Sequence, residues 1–314
     1  MLQYLILQLC DTSVSYCHYD NPRTEPRLMP LDVLKKAIVW SMKENLTVQV
    51  LHPDYALPNE YNEVLNQIDH TNIVSSHSPL KDDAEVVVVS DWKDLPLITC
   101  HQKAVYVLRT SKDLLAERYV ELEDLIGRVK RLNLVITDVE SFTDADFVTY
   151  KKVLEHLSQV LEKQYANGNQ VQFNLLTDRM MLDKMNNCGA GDTNITLAPD
   201  GEFYVCPAYY ASCVGSLGNI REGLDIKNPQ LYKLDHAPLC RKCDAYQCKR
   251  CIWLNRKTTF EVNTPSHEQC VLAHLERNAS RGLLAAFRRQ GLFSPKVDEI
   301  KELDYLDPFD LVEQ

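Results

Sequence analysis

Glycine is scarce in this chain: there are 10 among 314 residues, and none precedes Gly127. Loops that cradle a nucleotide use glycine so that the backbone can approach phosphate or ribose. The absence weighs against a Walker loop, a Rossmann fingerprint or any other glycine-rich cofactor grip in the front of the chain. Positive charge is also in deficit, with 34 Lys and Arg against 44 Asp and Glu, a net charge of -10. Generic binding to nucleic acid or anionic lipid needs basic patches, so neither polymer is expected as a partner. No run of roughly eighteen apolar residues occurs, and the opening Met1 to Leu9 has neither a basic region nor a small-residue cleavage site. The expected location is cytoplasmic. The remaining composition, 45% hydrophobic and 25% charged, is that of a globular chain rather than a disordered one.

Cysteine, by contrast, is abundant. Of 11 cysteines, eight fall between Cys188 and Cys270. Thiols so crowded in a reducing compartment point to metal rather than to disulfides.

Up to about Leu176 the sequence alternates short apolar runs with helical patterns. Leu2 to Leu9, Val48 to Leu51, Glu85 to Val89, Ala104 to Leu108, Leu132 to Val139 and Val171 to Leu175 read as strands, with a weaker one at Asn72 to Val74. Several are apolar on both faces, as strands buried in a parallel sheet are. Leu31, Leu34, Ile38 and Met42 mark a helical stripe behind Pro30, and Tyr150, Val153, Leu154, Leu157, Val160 and Leu161 mark another. The region is βα-repeated, as a barrel or an open sheet. Beyond Asp178 the periodicity breaks. Ile195-Thr196-Leu197 and Phe203-Tyr204-Val205 flank Pro199-Asp200-Gly201, which predicts a β-hairpin. An irregular module runs to about Cys270 and a helix from Val271 to Leu292. The stretch from Val297 to Gln314 holds seven acidic residues and one lysine, a solvated or docking tail.

Cys240-x2-Cys243-x4-Cys248-x2-Cys251 places four thiols within twelve residues. A zinc ribbon separates its two Cys-x2-Cys knuckles by about 15 to 20 residues so that both face one tetrahedral ion, and four intervening residues make that closure strained. The alternative is an iron-sulfur arrangement in which three local cysteines hold one cluster and the fourth turns to another. That arrangement needs distant cysteines, and Cys188, Cys206, Cys213 and Cys270 are available. Zinc stays open as the second choice of metal.

Cys188, then Gly201-x4-Cys206, the Cys240 to Cys251 cluster and Cys270 resemble the seven-cysteine pattern of SPASM domains, and Gly215-Ser216-Leu217-Gly218-Asn219-Ile220 is similar to a recurrent segment of that family. The central spacing departs from the family's usual x2, x5, x3. SPASM domains follow radical SAM domains in peptide-modifying enzymes and hold one or two auxiliary [4Fe-4S] clusters. The resemblance implies that Cys240, Cys243, Cys248 and Cys270 bind one cluster, while Cys251 turns away to join Cys188 and Cys206 at another. It also implies a Cys-x3-Cys-x2-Cys motif after the first strand. Here Cys10 and Cys17 occupy the outer positions, but Val14 stands in the middle one. The family's glycine-rich segment after the second strand falls at His52-Pro53-Asp54-Tyr55, where there is no glycine.

With two parts of the cofactor site missing, the chain resembles pseudo-radical-SAM proteins, most of all the CXXX repeat peptide maturases. The implied fold class is α/β: a partial (β/α) barrel-like domain at 1–178, a SPASM-like domain at 179–292 and an acidic tail at 293–314. The implied cofactors are one or two [4Fe-4S] clusters, with SAM not expected to bind. The implied partners are a cysteine-containing precursor peptide and a radical SAM partner protein. A metal-stapled scaffold that docks a partner enzyme is the rival reading. Whether the chain is itself an enzyme is left open, and no Ser/His/Asp or paired-carboxylate arrangement is recognisable.

Overall fold

The computed structural model describes residues 1–292 and 299–300. Its strands include β1 (Tyr4–Gln8), β2 (Thr47–Leu51), β3 (His70–Ser75), β4 (Val86–Val89), β5 (Val105–Thr110), β6 (Arg131–Ile136), β7 (Gln172–Phe173), β8 (Asn194–Leu197), β9 (Phe203–Tyr204), β10 (Gly218–Asn219) and β11 (Gly223–Leu224). Its helices include α1 (Leu31–Lys43), α2 (Asn59–Leu65), α3 (Lys112–Arg118), α4 (Leu122–Arg128), α5 (Asp144–Ala166), α6 (Asp178–Met181), α7 (Pro207–Ala211), α8 (Ile252–Thr259) and α9 (His267–Gln290). The chain divides into two compact units, Met1–Thr99 with Gly189–Lys233, and Cys100–Cys188 with Leu234–Gln314. Among the described residues no helix is long and apolar enough to cross a membrane.

In the first unit β1 is central, pairing in parallel with β2 on one side and β8 on the other, and β3 and β4 continue the sheet beyond β2. Burial on both faces explains the uninterrupted apolar run of β1: Leu5 and Leu7 are fully buried, and so, at 3% exposure, is Ile6 between them. The expected hairpin forms, with β9 antiparallel to β8, and Gly201 takes the left-handed φ of +82° that its turn requires. Helix α1 buries Val33, Leu34, Ala37 and Ile38, while Met42 is exposed. The apolar stripe is thus rotated from the one expected, because Val33 and Ala37 lie beside Leu34 and Ile38 and Met42 does not.

In the second unit β5, β6 and β7 are parallel neighbours. Helix α5 buries the whole expected stripe from Tyr150 to Leu161. It starts at a capping box, in which Thr143 and Asp146 satisfy each other's backbone donors. Helix α9 packs on it, the Tyr165 and Phe287 rings stacking with centroids 4.3 Å apart. Helix α9 begins at His267, four residues before the expected start, because Ser266 caps it by accepting from the Gln269 N–H at 3.3 Å. Two strands end early. Thr177 bonds back to Phe173 through both its hydroxyl and its N–H, which confines β7 to two residues, and a turn follows Ile136, where β6 ends. The acidic tail lies outside the described residues apart from Glu299 and Ile300.

Candidate metal centre

The residues from Asp178 to Cys188 and from Leu234 to Cys251 have little regular structure, and specific polar contacts hold them instead. Arg131 binds Asp178 through two hydrogen bonds of 2.7 Å. Arg179, buried, donates from Nε to the Asp244 carbonyl at 2.7 Å and lies 4.2 Å from the centroid of the Tyr246 ring. Arg277, reaching from α9, donates to Asp244 Oδ1 at 2.5 Å. Gln247 donates to the Ala273 carbonyl at 2.7 Å and to Glu276 at 3.3 Å. The loop from Cys243 to Cys248 is therefore clamped from both sides by buried groups, which fixes its cysteines more firmly than its lack of secondary structure suggests.

Within that loop the backbone turns toward sulfur. The Ala245 N–H donates to Cys243 Sγ at 3.4 Å and the Arg250 N–H to Cys248 Sγ at 3.5 Å. His274 Nε2 lies 3.6 Å from Cys243 Sγ. Cys240 packs with Met185 and Ala237, against which Cys243 also rests. Burial pushes the Cys240 thiol up to about 11 and the Cys248 thiol up to about 12, and the neighbouring thiols add to both. Cys243 is raised by burial as well. Cys188 is brought to the same loop by its backbone, which donates to the Lys249 carbonyl at 3.0 Å, and Asn186 likewise donates to the Tyr246 carbonyl at 2.8 Å.

The side chains do not close into a ligand shell of their own: among the described residues, no group of three or more His, Cys, Asp or Glu is disposed to hold a metal ion. The chemistry of the donor set nonetheless fits a thiolate-bound centre. Backbone N–H groups already point at two of the sulfurs, as they do where thiolates bind iron. Burial favours the neutral form of Cys240, Cys243 and Cys248, and a bound metal would deprotonate them.

The first unit holds the loop that would carry a SAM cluster. Cys10, fully buried, lies two residues past the end of β1 and forms an isolated bridge with Leu28. Its thiol accepts from the Tyr55 hydroxyl at 3.4 Å and lies 3.3 Å from the Thr12 hydroxyl. Ser13 accepts from the Cys10 N–H at 3.0 Å and donates to the Leu51 carbonyl at 2.8 Å, and the Val14 N–H donates to the His52 carbonyl at 3.3 Å. Asp11 accepts from Arg27 Nε at 3.1 Å and from the Tyr210 hydroxyl, which also accepts from Arg27 at 2.7 Å. Burial, then the bond to Asp11, holds the Tyr210 phenol well above its ordinary value, so it remains a proton donor. Burial holds His52 down to about 4, and its Nε2 pairs with Asn72 at 2.8 Å, so this histidine is neutral near pH 7.

No protein-family model matches the sequence, and no curated protein matches it. Solved structures do match. The structure of anSMEcpe with bound AdoMet is 15% identical, with a TM-score of 0.59 over 94% of this chain and 100% of that one. anSMEcpe with bound AdoMet and the Cp18Cys peptide is 14% identical, with a TM-score of 0.58 over 92% of this chain and 100% of that one. SuiB from Streptococcus suis bound to S-adenosylmethionine is 11% identical, with a TM-score of 0.51 over 86% of this chain and 75% of that one. This chain shares the fold of these AdoMet-bound structures.

Within that fold the structure distributes the cysteines unevenly. Cys188, Cys240, Cys243, Cys248, Cys251 and Cys270 belong to the second unit and Cys206 to the first. Cys206 leads into α7, with Pro207 at its first position. Cys270 lies in the first turn of α9, its N–H bonded to the Ser266 carbonyl at 3.2 Å. Cys213 is exposed, not buried, with a left-handed φ of 54° just past the end of α7. Tyr204, Tyr209 and Tyr210 are buried in the first unit. Two contributors to the thiol loop were missed in the sequence. His274 follows Cys270 by four residues, and that spacing puts both on one face of a helix. Arg250 carried no such signal.

Proposed function

We propose that the chain is an iron-sulfur protein of ribosomally synthesised peptide maturation, like the CXXX repeat peptide maturases, and that it takes or presents a cysteine-containing precursor without ordinary SAM cleavage. The observation that carries this reading is the contrast between the two cysteine loops. The Cys240 to Cys251 loop packs Cys243 against Cys240 and sets N–H donors on the sulfurs of Cys243 and Cys248. The Cys10 to Cys17 loop has Val14 at its middle position and Cys10 sealed under Tyr55. Cys240, Cys243, Cys248 and Cys270 would hold one cluster, and Cys188 and Cys251 belong to the set for a second. Such a centre, when bound, supplies one-electron chemistry or an open iron for a thiolate. The chain's own residues orient the thiols, exclude water and supply donors to sulfur. The radical SAM/SPASM-type fold supports a peptide as the partner, as does the Cp18Cys peptide bound by anSMEcpe.

The test is metal analysis of full-length protein purified without oxygen, followed by calorimetry with SAM. About eight irons per chain support two four-iron clusters, and no heat with SAM supports the loss of its site. Zinc without iron would favour the metal-stapled scaffold. Stoichiometric SAM binding with release of 5'-deoxyadenosine would overturn the reading.

A further inference from the structure

The last turns of α9 border a groove. Arg281, Leu284, Ala285 and Arg288 have the spacing that brings side chains onto one face of a helix. With Arg289, Glu299 and Ile300 they line a space of about 800 Å³. The three arginines and Ala285 are exposed, whereas Leu284 and Ile300 are buried, at 3% and 1%. Among the described residues the groove therefore has an apolar floor and a basic rim, on which Glu299 sets one negative charge against three positive ones. The negative end of the helix dipole accounts for arginines in the last turn, where Arg288 and Arg289 lie. It does not account for Arg281, two turns before Arg288, or for Ile300 in the same groove.

From Ile300, inside this groove, the chain passes directly into its acidic end. Residues 301–314 lie outside the described residues, but their composition complements the groove. They hold five acidic residues and one lysine, and Leu303, Tyr305, Leu306, Phe309, Leu311 and Val312 interleave with the acids. From Arg281 to Arg289 the helix covers about 12 Å, and fourteen extended residues reach about 45 Å. A segment tethered at Ile300 is long enough to lie along the whole groove, and a short tether keeps it there at about millimolar effective concentration.

We propose that the groove on α9 is the docking site of the chain's own C-terminal segment, residues 301–314, whose carboxylates meet Arg281, Arg288 and Arg289 while its apolar side chains cover Leu284 and Ile300. The docking is intramolecular. It closes the groove to any other acidic peptide until the segment is displaced, and it is independent of whether the thiol loop binds iron.

The experiment is limited chymotrypsin digestion of full-length protein at low salt. Cleavage after Tyr305 and Phe309 is followed by intact mass, and each rate is referred to that of a free synthetic peptide with the same 301–314 sequence. The wild-type segment should be cut about tenfold more slowly than its peptide, an effect that a few exposed ion pairs with apolar cover can supply. The rate should not depend on protein concentration. Arg288→Glu with Arg289→Glu should remove the protection, as should high salt, which screens exposed charges. Asp304→Lys with Asp307→Lys alters only the segment, so it decides the matter if the arginine variant folds poorly, and it too should remove the protection. A wild-type segment cut as fast as its peptide is solvated, and that result overturns the proposal. So does protection that survives both charge reversals, and so does protection that rises with protein concentration, which would seat the segment on a second copy.

Discussion

The Tyr55 hydroxyl donates to the Cys10 thiol at 3.4 Å. Tyr55 lies in the segment where the radical SAM pattern has glycine, and Cys10 is the first of the positions where that pattern has a cluster ligand. The two departures from the pattern are therefore in contact: a tyrosine from the glycine-free segment sets its hydroxyl on the sulfur at the first of those positions. Restoring one without clearing the other should fail. Val14→Cys alone is expected to leave the iron content of the purified protein nearly unchanged. Val14→Cys combined with Tyr55→Gly should raise it by about four irons per chain, since the pair completes the tridentate set and uncovers it. A full gain in the single variant would show that Tyr55 does not close the site.

A polar lock holds the same loop. Asp11 is 6% exposed and accepts from Arg27 and from the buried Tyr210 hydroxyl. Asp11→Ala leaves that hydroxyl without its carboxylate, and a buried donor without a partner costs about 1–3 kcal/mol. Arg27, half exposed, can turn to water. The loss should be visible in urea unfolding, and Asp11→Asn, whose amide oxygen keeps one acceptor, should lose less. Equal unfolding midpoints for Asp11→Ala and the wild type would reject the lock.

The sheet was legible because burial on both faces writes itself into the sequence as unbroken apolar runs, as in β1 and β4. The hairpin was legible because Gly201 and Pro199 are needed by the turn itself. The thiol loop was legible as a crowd of cysteines but not in the contacts that hold it. Arg179, Asp244 and Arg277 are scattered over a hundred residues and meet only in the folded chain. Nothing local marks Arg250 as buried, since arginine is ordinarily a surface residue. The start of α9 was missed because apolar periodicity locates a helix's buried face and not its capping residue.

Glycine carries one further consequence. Gly218, in the segment similar to SPASM sequences, has a φ of +97°, and a Cβ there would fall on the Gly223 carbonyl oxygen across the β10–β11 pair. That neighbour is backbone and cannot swing aside. Gly218→Ala should cost at least about 2 kcal/mol, from the left-handed backbone plus the clash. Gly215, with open space around it, should accept alanine with little loss. Comparable stability of the two variants in urea would contradict the geometry of this hairpin.

Glu276 gives the second unit a dependence on pH. It is buried, accepts from the Tyr150 hydroxyl at 2.8 Å and from Gln247 at 3.3 Å, and burial pushes it up to about 7 against those bonds. A carboxyl whose folded value exceeds its unfolded one holds its proton more firmly when folded. Its contribution to stability is complete below the unfolded value, near 4.3, and is lost as pH rises toward the folded value. The loss amounts to roughly 3 kcal/mol between about pH 4.5 and 7. Glu276→Gln should flatten the stability profile across that window, measured as the urea midpoint. A profile that falls with pH in the wild type and falls equally in the variant would assign the titration elsewhere.

Cys213 and Cys248 separate exposed thiols from grouped ones. Cys213 is exposed and its sulfur accepts from Arg23 Nη2 at 3.8 Å. Cys248 is half-buried and carries an N–H donor on its sulfur, in the loop that also holds Cys240 and Cys243. If the loop binds a four-iron centre, removing one of its three local thiolates leaves too few ligands, and a surface thiol in the other unit has no part in that loss. Cys248→Ala should therefore lose about four irons per chain, and Cys213→Ala should lose none. Alanine at 248 also removes a sulfur from a packed site, so folding must be checked separately: an unchanged far-ultraviolet spectrum with reduced iron assigns the loss to ligation. Iron loss in Cys213→Ala with full retention in Cys248→Ala would reverse the assignment and move the centre to the first unit.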